Sequence, residues 1–462
     1  MITPLRNWLS VCFLLLPSSI LAQSTADKAA RVAASESSVS ILVNPGVPVE
    51  ATAYYRRLQV RIGLPLIDAA DNLTANLDQL IKHFGFTGLS AKDLEELGSF
   101  DLMPSDTASF DALAARVSDP AAFKASLTFD AFRNDNVLVS RFFAPKIVDY
   151  SSTPPFTPGW RKLVRLKALA GSDAFKANLL EAYNFVRADA AVDPFDKNTS
   201  KNNQVILVPR TFTKGTEDSA FFMVFLEKPS YTLGLALEGV AFDLPVLNQK
   251  SYFVPGACAQ CHGHDARSGD QSPKPADGVF RAARVNYLDT DQWHDMVRHD
   301  FPQVAASANG VVFDGTKVTT SPAYKKAFDV IRKLNTGARD QNRTVETGDF
   351  KIGAAEFWLS SHVNSDEPIS FDKRVLSLGG AVWNMAVQDE KDLLDTLNRY
   401  CFRCHSSIRY NVFDKQSTGD SSFGMEARLR LKQDNPRFMP NGRILPDPER
   451  ERLINLINKV FP

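Results

Sequence analysis

Hydrophobic positions in the first half of the chain follow a helical period in two places. Residues 75–98 and residues 172–190 carry apolar side chains three and four positions apart, which is typical of helices that pack one face against a core. Ser90 and Ser172 precede acidic and apolar residues in the manner of helix caps. The pattern therefore predicts helices in both segments.

Other segments of the same half have the pattern of strands. Residues 203–212 and residues 219–228 are short runs of β-branched and aromatic residues, and the sequence TKGTED between them is typical of a turn. Residues 149–160 are rich in Pro, Ser and Thr, which predicts a loop or an internal boundary near residue 155. The amino-terminal region is thus predicted to be α+β.

Two amphipathic helices are predicted near the end of the chain. The first lies within residues 389–405, where three leucines have helical spacing, and it ends in a cysteine-rich sequence. The second lies within residues 445–461, where Asp447 is a candidate cap and Pro448 suits the first turn. Its predicted apolar face consists of Leu453, Ile454, Ile457 and Val460.

Apart from Cys12, every cysteine of the chain lies in one of two five-residue motifs, CAQCH at 258–262 and CFRCH at 401–405. Disulfides, a zinc site and a redox dithiol are the structural alternatives. A zinc ribbon joins its halves across roughly 15 to 20 residues, whereas these motifs begin 401 − 258 = 143 positions apart. A dithiol needs no adjacent histidine. Two Cys-x-x-Cys-His motifs in a chain with 5 Cys and 7 His favour covalent attachment of c-type haem instead.

Covalent attachment needs two thiols about one helical turn apart, so that both sulfurs reach the vinyl groups of one porphyrin. The next residue, a histidine, then lies below the iron as its proximal ligand. The sequence therefore predicts two covalently bound haem c groups. The attachment residues are Cys258, Cys261 and His262 in the first motif, and Cys401, Cys404 and His405 in the second.

The carboxy-terminal segment resembles a small class I cytochrome c over residues 389–461. It has the order helix, Cys-x-x-Cys-His, Met-Pro loop and final helix. In that family the methionine of the loop is the sixth iron ligand, and here it matches Met439. The resemblance implies a dihaem c-type cytochrome with a mainly α-helical haem region and a His/Met second haem. The alternative for Met439 is a buried packing role.

The sixth ligand of the first haem is left open by the sequence. Residues 289–301 have the pattern of a helix capped by Asp289 and supply the main candidates. These candidates are His294, Met296 and His299. The further alternatives are His264, His362 and an open coordination position.

Charge and the amino-terminal segment bear on partners and location. With 53 basic and 53 acidic residues, the chain offers no overall field for nucleic acid, so no nucleic-acid partner is expected. Residues 1–24 have the pattern of a cleaved signal peptide, and no later run is apolar enough to predict a membrane-spanning helix. Haem c attachment suits export, so we expect a soluble periplasmic protein.

These segments predict four regions. They are a signal peptide at 1–24, a haem-free α+β domain at 25–250, a first haem region at 251–388 and a second haem domain at 389–462.

Two functions are compatible with this organisation. One is electron transfer with a redox partner protein or a small electron carrier. The other is an oxidoreductase whose first haem is the reactive centre, because two haem motifs with a late Met-Pro loop also resemble bacterial dihaem cytochrome c peroxidases and rubber oxygenases.

Overall fold

Helices and antiparallel strands both occur in the protein, so the predicted mixed class is confirmed. The computed structural model describes residues 48–98, 104–117, 119–148, 156–187, 202–212, 220–227, 235–238, 240–242, 252–254, 258, 262, 285, 287–291, 322–345, 353–366, 369, 381–401, 412–431 and 445–462. None of the described helices combines the length and the apolar character needed to cross a membrane.

The described elements fall into three groups along the chain. The helices that precede the main sheet are α1 (Pro48–Ile62), α2 (Leu77–His83), α3 (Ala91–Gly98), α4 (Thr107–Ala114), α5 (Pro120–Ser126) and α6 (Phe129–Arg133). The strands, with one short helix between them, are β1 (Val137–Val148), β2 (Phe156–Lys167), α7 (Asp173–Lys176), β3 (Leu179–Arg187), β4 (Asn202–Pro209), β5 (Phe221–Glu227), β6 (Leu235–Glu238), β7 (Val240–Phe242) and β8 (Tyr252–Phe253). The later helices are α8 (Pro322–Val345), α9 (Gly353–Ser361), α10 (Gln388–Tyr400), α11 (Lys415–Leu429) and α12 (Asp447–Val460).

Six of the described strands form one antiparallel sheet in sequential order from β1 to β6, while β7 and β8 pair separately. The two strands predicted at 203–212 and 219–228 are confirmed as β4 and β5. The loop predicted at 149–160 is wrong in its second half, because β2 begins at Phe156. A register shift between Ala144 and Ile147 accommodates Pro158, since a bulge tolerates a proline that cannot donate to the ladder.

The helices predicted within 75–98 are confirmed as α2 and α3. Ser90 caps α3 as predicted, because its Oγ accepts a hydrogen bond from the backbone N–H of Asp93 at 3.2 Å. The Asp93 carboxylate in turn accepts from the N–H of Ser90 at 2.9 Å. This reciprocal arrangement satisfies donors that a helix start leaves without intrahelical partners.

The helix predicted over 172–190 is wrong beyond its first turn. Ser172 does cap α7, where its Oγ accepts from the N–H of Phe175 at 3.2 Å. Asn178 then adopts a left-handed backbone with φ of 66°, which ends the helix. The following residues form β3, which pairs with β2 on one side and β4 on the other. Tertiary pairing therefore overrides the local helical pattern.

Helix α8 contacts the sheet above a buried polar network. Arg165 on β2 donates from Nη1 to Glu181 Oε2 on β3 at 2.8 Å, and both side chains are almost fully buried. The hydroxyl of Tyr183 donates to Glu181 Oε1 at 2.6 Å. Gly337 of α8 lies directly over this pair, since a Cβ added there would come within 2.9 Å of the Tyr183 oxygen. The absence of a side chain at 337 thus allows the helix to approach the network.

Helices α10 and α12 pack together through apolar residues. Leu393, Leu394 and Leu397 of α10 are fully buried. On α12 the buried residues are Leu453, Ile454, Leu456 and Ile457, and Val460 is partly buried against the core, so Leu456 joins the predicted apolar face. Asp447 is the first helical residue rather than the cap, which is Pro446, and Pro448 lies in the first turn as predicted. The packing brings the two predicted amphipathic helices into contact.

Candidate functional site

The first attachment motif is described at its first and last residues. Cys258 and His262 both have helical backbone, and they are four positions apart. Cys258 is partly buried and packs against the apolar core. The first motif thus places the Cys258 thiol at the margin of the core, while Cys261 lies outside the described residues.

An aromatic side chain of the main sheet contacts the histidine of this motif. The ring centroid of Phe222 on β5 lies 5.0 Å from that of His262, with an interplanar angle of 42°. Phe222 is only 2% exposed. Its backbone N–H donates to the hydroxyl of Tyr54 on α1 at 2.7 Å, which fixes this part of the strand. The sheet of the amino-terminal half thus reaches the first motif directly.

The second motif begins where α10 ends. Cys401 is the residue after the helix, and its N–H donates to the carbonyl of Leu397 at 2.8 Å, so it continues the helical hydrogen bonding. Its side chain is partly buried and packs against the core. The prediction that a helix delivers this motif at its end is confirmed for Cys401. Cys404 and His405 lie outside the described residues.

The predicted sixth ligands cannot be located in the described part of the chain. Met439, His294, Met296 and His299 all lie outside it, as does His264. Only the start of the predicted helix at 289–301 is described, where Thr290 and Asp291 are helical and Asp289 precedes them. The predicted position of the helix start is therefore consistent with the structure, and the ligand assignments stay predictions.

His362 is not available as an iron ligand in this structure. Its Nδ1 lies 3.0 Å from the carbonyl oxygen of Ser365, and its Nε2 lies 3.0 Å from Asp291 Oδ2. Since a carbonyl and a carboxylate can only accept hydrogen bonds, both ring nitrogens must carry protons to satisfy them. The charged imidazolium is thus the form that fits. His362 has a structural role, and so does the buried His83, whose Nε2 lies 2.8 Å from the carbonyl of Ile62.

The environment of His362 raises its pKa despite opposing burial. Burial alone lowers the pKa of the imidazole, but the hydrogen bond to Asp291, the charge of the same carboxylate, the Ser365 carbonyl and the charge of Asp289 together raise it. The side chains of His362 and Asp291 are 0% and 1% exposed, so water screens the pair little. The result is a buried ion pair.

Several segments meet at this pair. Asp291 also accepts from the N–H of Ile369 at 3.2 Å, and Trp358 of α9 donates to Thr290 Oγ1 at 3.3 Å. Asn335 of α8 donates to and accepts from the backbone of Leu288, at 2.9 and 2.7 Å. These bonds fix residues 287–291, which lead into the segment with the candidate ligands of the first haem. Local sequence patterns could not predict this cluster, because Asp291 and His362 are 71 residues apart.

The donor set of the motifs is compatible with haem. In c-type haem the two thiols bond to the porphyrin and the imidazole binds the iron, and each motif supplies both kinds of group. Both described cysteines border the apolar core, where a porphyrin face finds apolar contacts. Within the described residues, no group of three or more Cys, His, Asp or Glu side chains is placed to hold a free metal ion.

Comparison with known proteins gives no further assignment. The chain matches no protein-family model, no curated protein and no solved structure. Any functional interpretation therefore depends on the motifs and on the contacts of the described residues.

Proposed function

We propose that the chain is a periplasmic dihaem c-type cytochrome that transfers electrons through the haem of its second motif. The observation that carries this proposal is the presence of two complete Cys-x-x-Cys-His motifs that contain every cysteine except Cys12. The contacts of three motif residues support it, because Cys258 and Cys401 pack against the apolar core and His262 lies beside the ring of the buried Phe222. The signal-like residues 1–24 support export.

The residues of each motif would have separate tasks. The two cysteine thiols would form thioether bonds that hold the porphyrin, and His262 and His405 would bind the irons from the proximal side. Bound haem supplies a one-electron centre that cycles between ferric and ferrous iron. The apolar residues of α10 and α12 would exclude water from the second site, which favours the less charged ferrous form. A redox partner protein or a small electron carrier would exchange electrons there.

Met439 is proposed as the sixth ligand of the second haem. A thioether ligand favours ferrous iron and raises the reduction potential. Replacing Met439 with Ala is expected to lower the potential of one haem and to remove the weak near-infrared charge-transfer band of ferric His/Met haem. Absorption spectroscopy and a redox titration measure both effects. Met425, which is buried on α11, supplies a control variant, because Met425→Leu should leave the band in place.

The first haem supports a second candidate function. No Met-Pro sequence lies between the two motifs, so the sixth ligand of the first haem would be His294, Met296 or His299, or the position would be open. An open iron would make this haem the reactive centre of a peroxidase-like or oxygenase-like oxidoreductase. An EPR spectrum of the ferric protein separates the two functions. Two low-spin signals favour electron transfer alone, and a high-spin signal favours the oxidoreductase.

Haem attachment at each motif is tested with single cysteine variants. Cys258→Ala and Cys401→Ala are each expected to weaken covalent attachment at one site, so that haem absorbance per chain falls towards half that of the unaltered protein. The proteins are exported in a host with cytochrome c maturation and washed with acidified organic solvent to remove unattached haem. Cys12→Ala is the matched control and should retain all haem. Equal haem content in all three variants would contradict the proposal.

A further inference from the structure

Phe222 and His262 belong to parts of the chain that the sequence alone would separate. Phe222 lies on β5 of the main sheet, in the half that carries no haem motif, and His262 ends the first motif. Their ring centroids are 5.0 Å apart and the rings are tilted by 42°. This distance is within the range over which aromatic rings attract one another. The main sheet therefore forms one wall beside the predicted proximal ligand.

The position of Phe222 is fixed by hydrogen bonds on both sides of its strand. On one side β5 pairs with β4, where Phe222 is opposite Ile206. On the other side, β6 pairs with β5 only from Val224 onwards, so it does not reach Phe222. There the N–H of Phe222 donates to the Tyr54 hydroxyl at 2.7 Å instead. A strand held in this way keeps the phenyl ring against the imidazole.

A fixed apolar ring beside an axial imidazole has two physical effects. It would limit rotation of the imidazole about its nitrogen–iron bond. It would also keep water away from the proximal side. The apolar shell of a metal centre controls solvent access and local dielectric, and through them the reduction potential. Loss of the ring should therefore favour ferric iron, which carries the greater charge.

We propose that Phe222 is a positioning residue for His262, so that the amino-terminal half supplies the proximal wall of the first haem site. This inference rests on the proposed function, because it requires His262 to bind haem iron. It gives the haem-free half a role inside the redox centre.

The test compares two phenylalanines of the same strand. Phe225 is three positions from Phe222, so its side chain points to the opposite face of the sheet, and it is equally buried, at 0% exposure. Phe222→Leu should lower the potential of one haem by the equivalent of a twofold to tenfold change in its reduction equilibrium, and leave the other unchanged. Phe225→Leu should reduce thermal stability to a similar extent without moving either potential. Spectroelectrochemical titration and thermal unfolding provide the two readouts.

Tyr54→Phe is a milder second variant in case Phe222→Leu does not fold. It removes only the hydroxyl that holds the backbone of Phe222, and it should move the same haem potential in the same direction by a smaller amount. Unchanged potentials in Phe222→Leu, or in Tyr54→Phe if the former does not fold, would overturn the inference and leave the proposed function standing. A wild-type protein without covalent haem would overturn both.

Discussion

Replacing Glu181 with Gln is expected to lower the free energy of unfolding by about 3 to 5 kcal/mol. The variant leaves the Arg165 guanidinium, which is almost fully buried, without its carboxylate. The remaining contact of Arg165, from Nη2 to the carbonyl of Asp135 at 2.8 Å, does not neutralise its charge. Tyr183 also loses a charged acceptor. Burial and the Glu181 carboxylate hold the pKa of Tyr183 well above its ordinary value, so the phenol stays a donor.

The matched control is an ion pair on the surface. Lys124 and Asp111 lie 2.6 Å apart, and about half of each side chain is exposed. Asp111→Asn should change the free energy of unfolding by about 0 to 1 kcal/mol, since water screens the pair. Chemical denaturation of both variants measures the difference. If Glu181→Gln costs no more than Asp111→Asn, the buried pair of Arg165 and Glu181 does not stabilise the fold as this account expects.

The Asp291→Asn variant is expected to lose stability in a pH-dependent manner. Because the folded pKa of His362 is raised, the stabilisation from its protonated form is fully present below the ordinary histidine pKa and is lost as pH rises through the folded value. The difference between wild type and Asp291→Asn should therefore be largest at mildly acidic pH, at about 2 kcal/mol, which is typical of a charged hydrogen bond. It should shrink as the pH becomes alkaline.

His83 provides a control, because its contribution to stability should change with pH in the opposite direction to that of His362. Burial lowers the pKa of this imidazole, and the bond to the Ile62 carbonyl and the charge of Asp173 only partly offset it. Its contribution to stability is present above the ordinary histidine pKa and is lost as the pH falls. The difference between wild type and His83→Gln should thus grow with pH. Thermal unfolding across the pH range measures both series, and slopes of the same sign would contradict this account.

Local patterns predicted those elements that local interactions determine. The leucines of α10 and the Ser90 cap depend on residues within one or two turns, so their periodicity and spacing are sufficient. The segment after Ser172 shows where local patterns fail to predict the structure. Its leucines and alanines suit a helix, but Asn178 and the pairing of β3 with two neighbours decide its structure.

The contacts around the candidate site depend on residues that are distant in sequence. Phe222 is one of several phenylalanines in an apolar strand, and nothing in that run distinguishes the ring that meets His262. Asp291 lies in a segment predicted to be helical, yet its carboxylate binds the imidazole of His362, the residue that follows α9. Motif spacing predicted the chemistry of the attachment residues, whereas the surroundings of those residues required the fold.

The mass of the intact chain tests the central claim most directly. The protein is exported in a host with cytochrome c maturation, denatured, freed of unattached haem and measured by mass spectrometry. The account predicts a mass equal to that of the processed polypeptide plus two haem groups. A mass equal to that of the polypeptide alone would contradict it, because the two Cys-x-x-Cys-His motifs would then not be haem attachment sites.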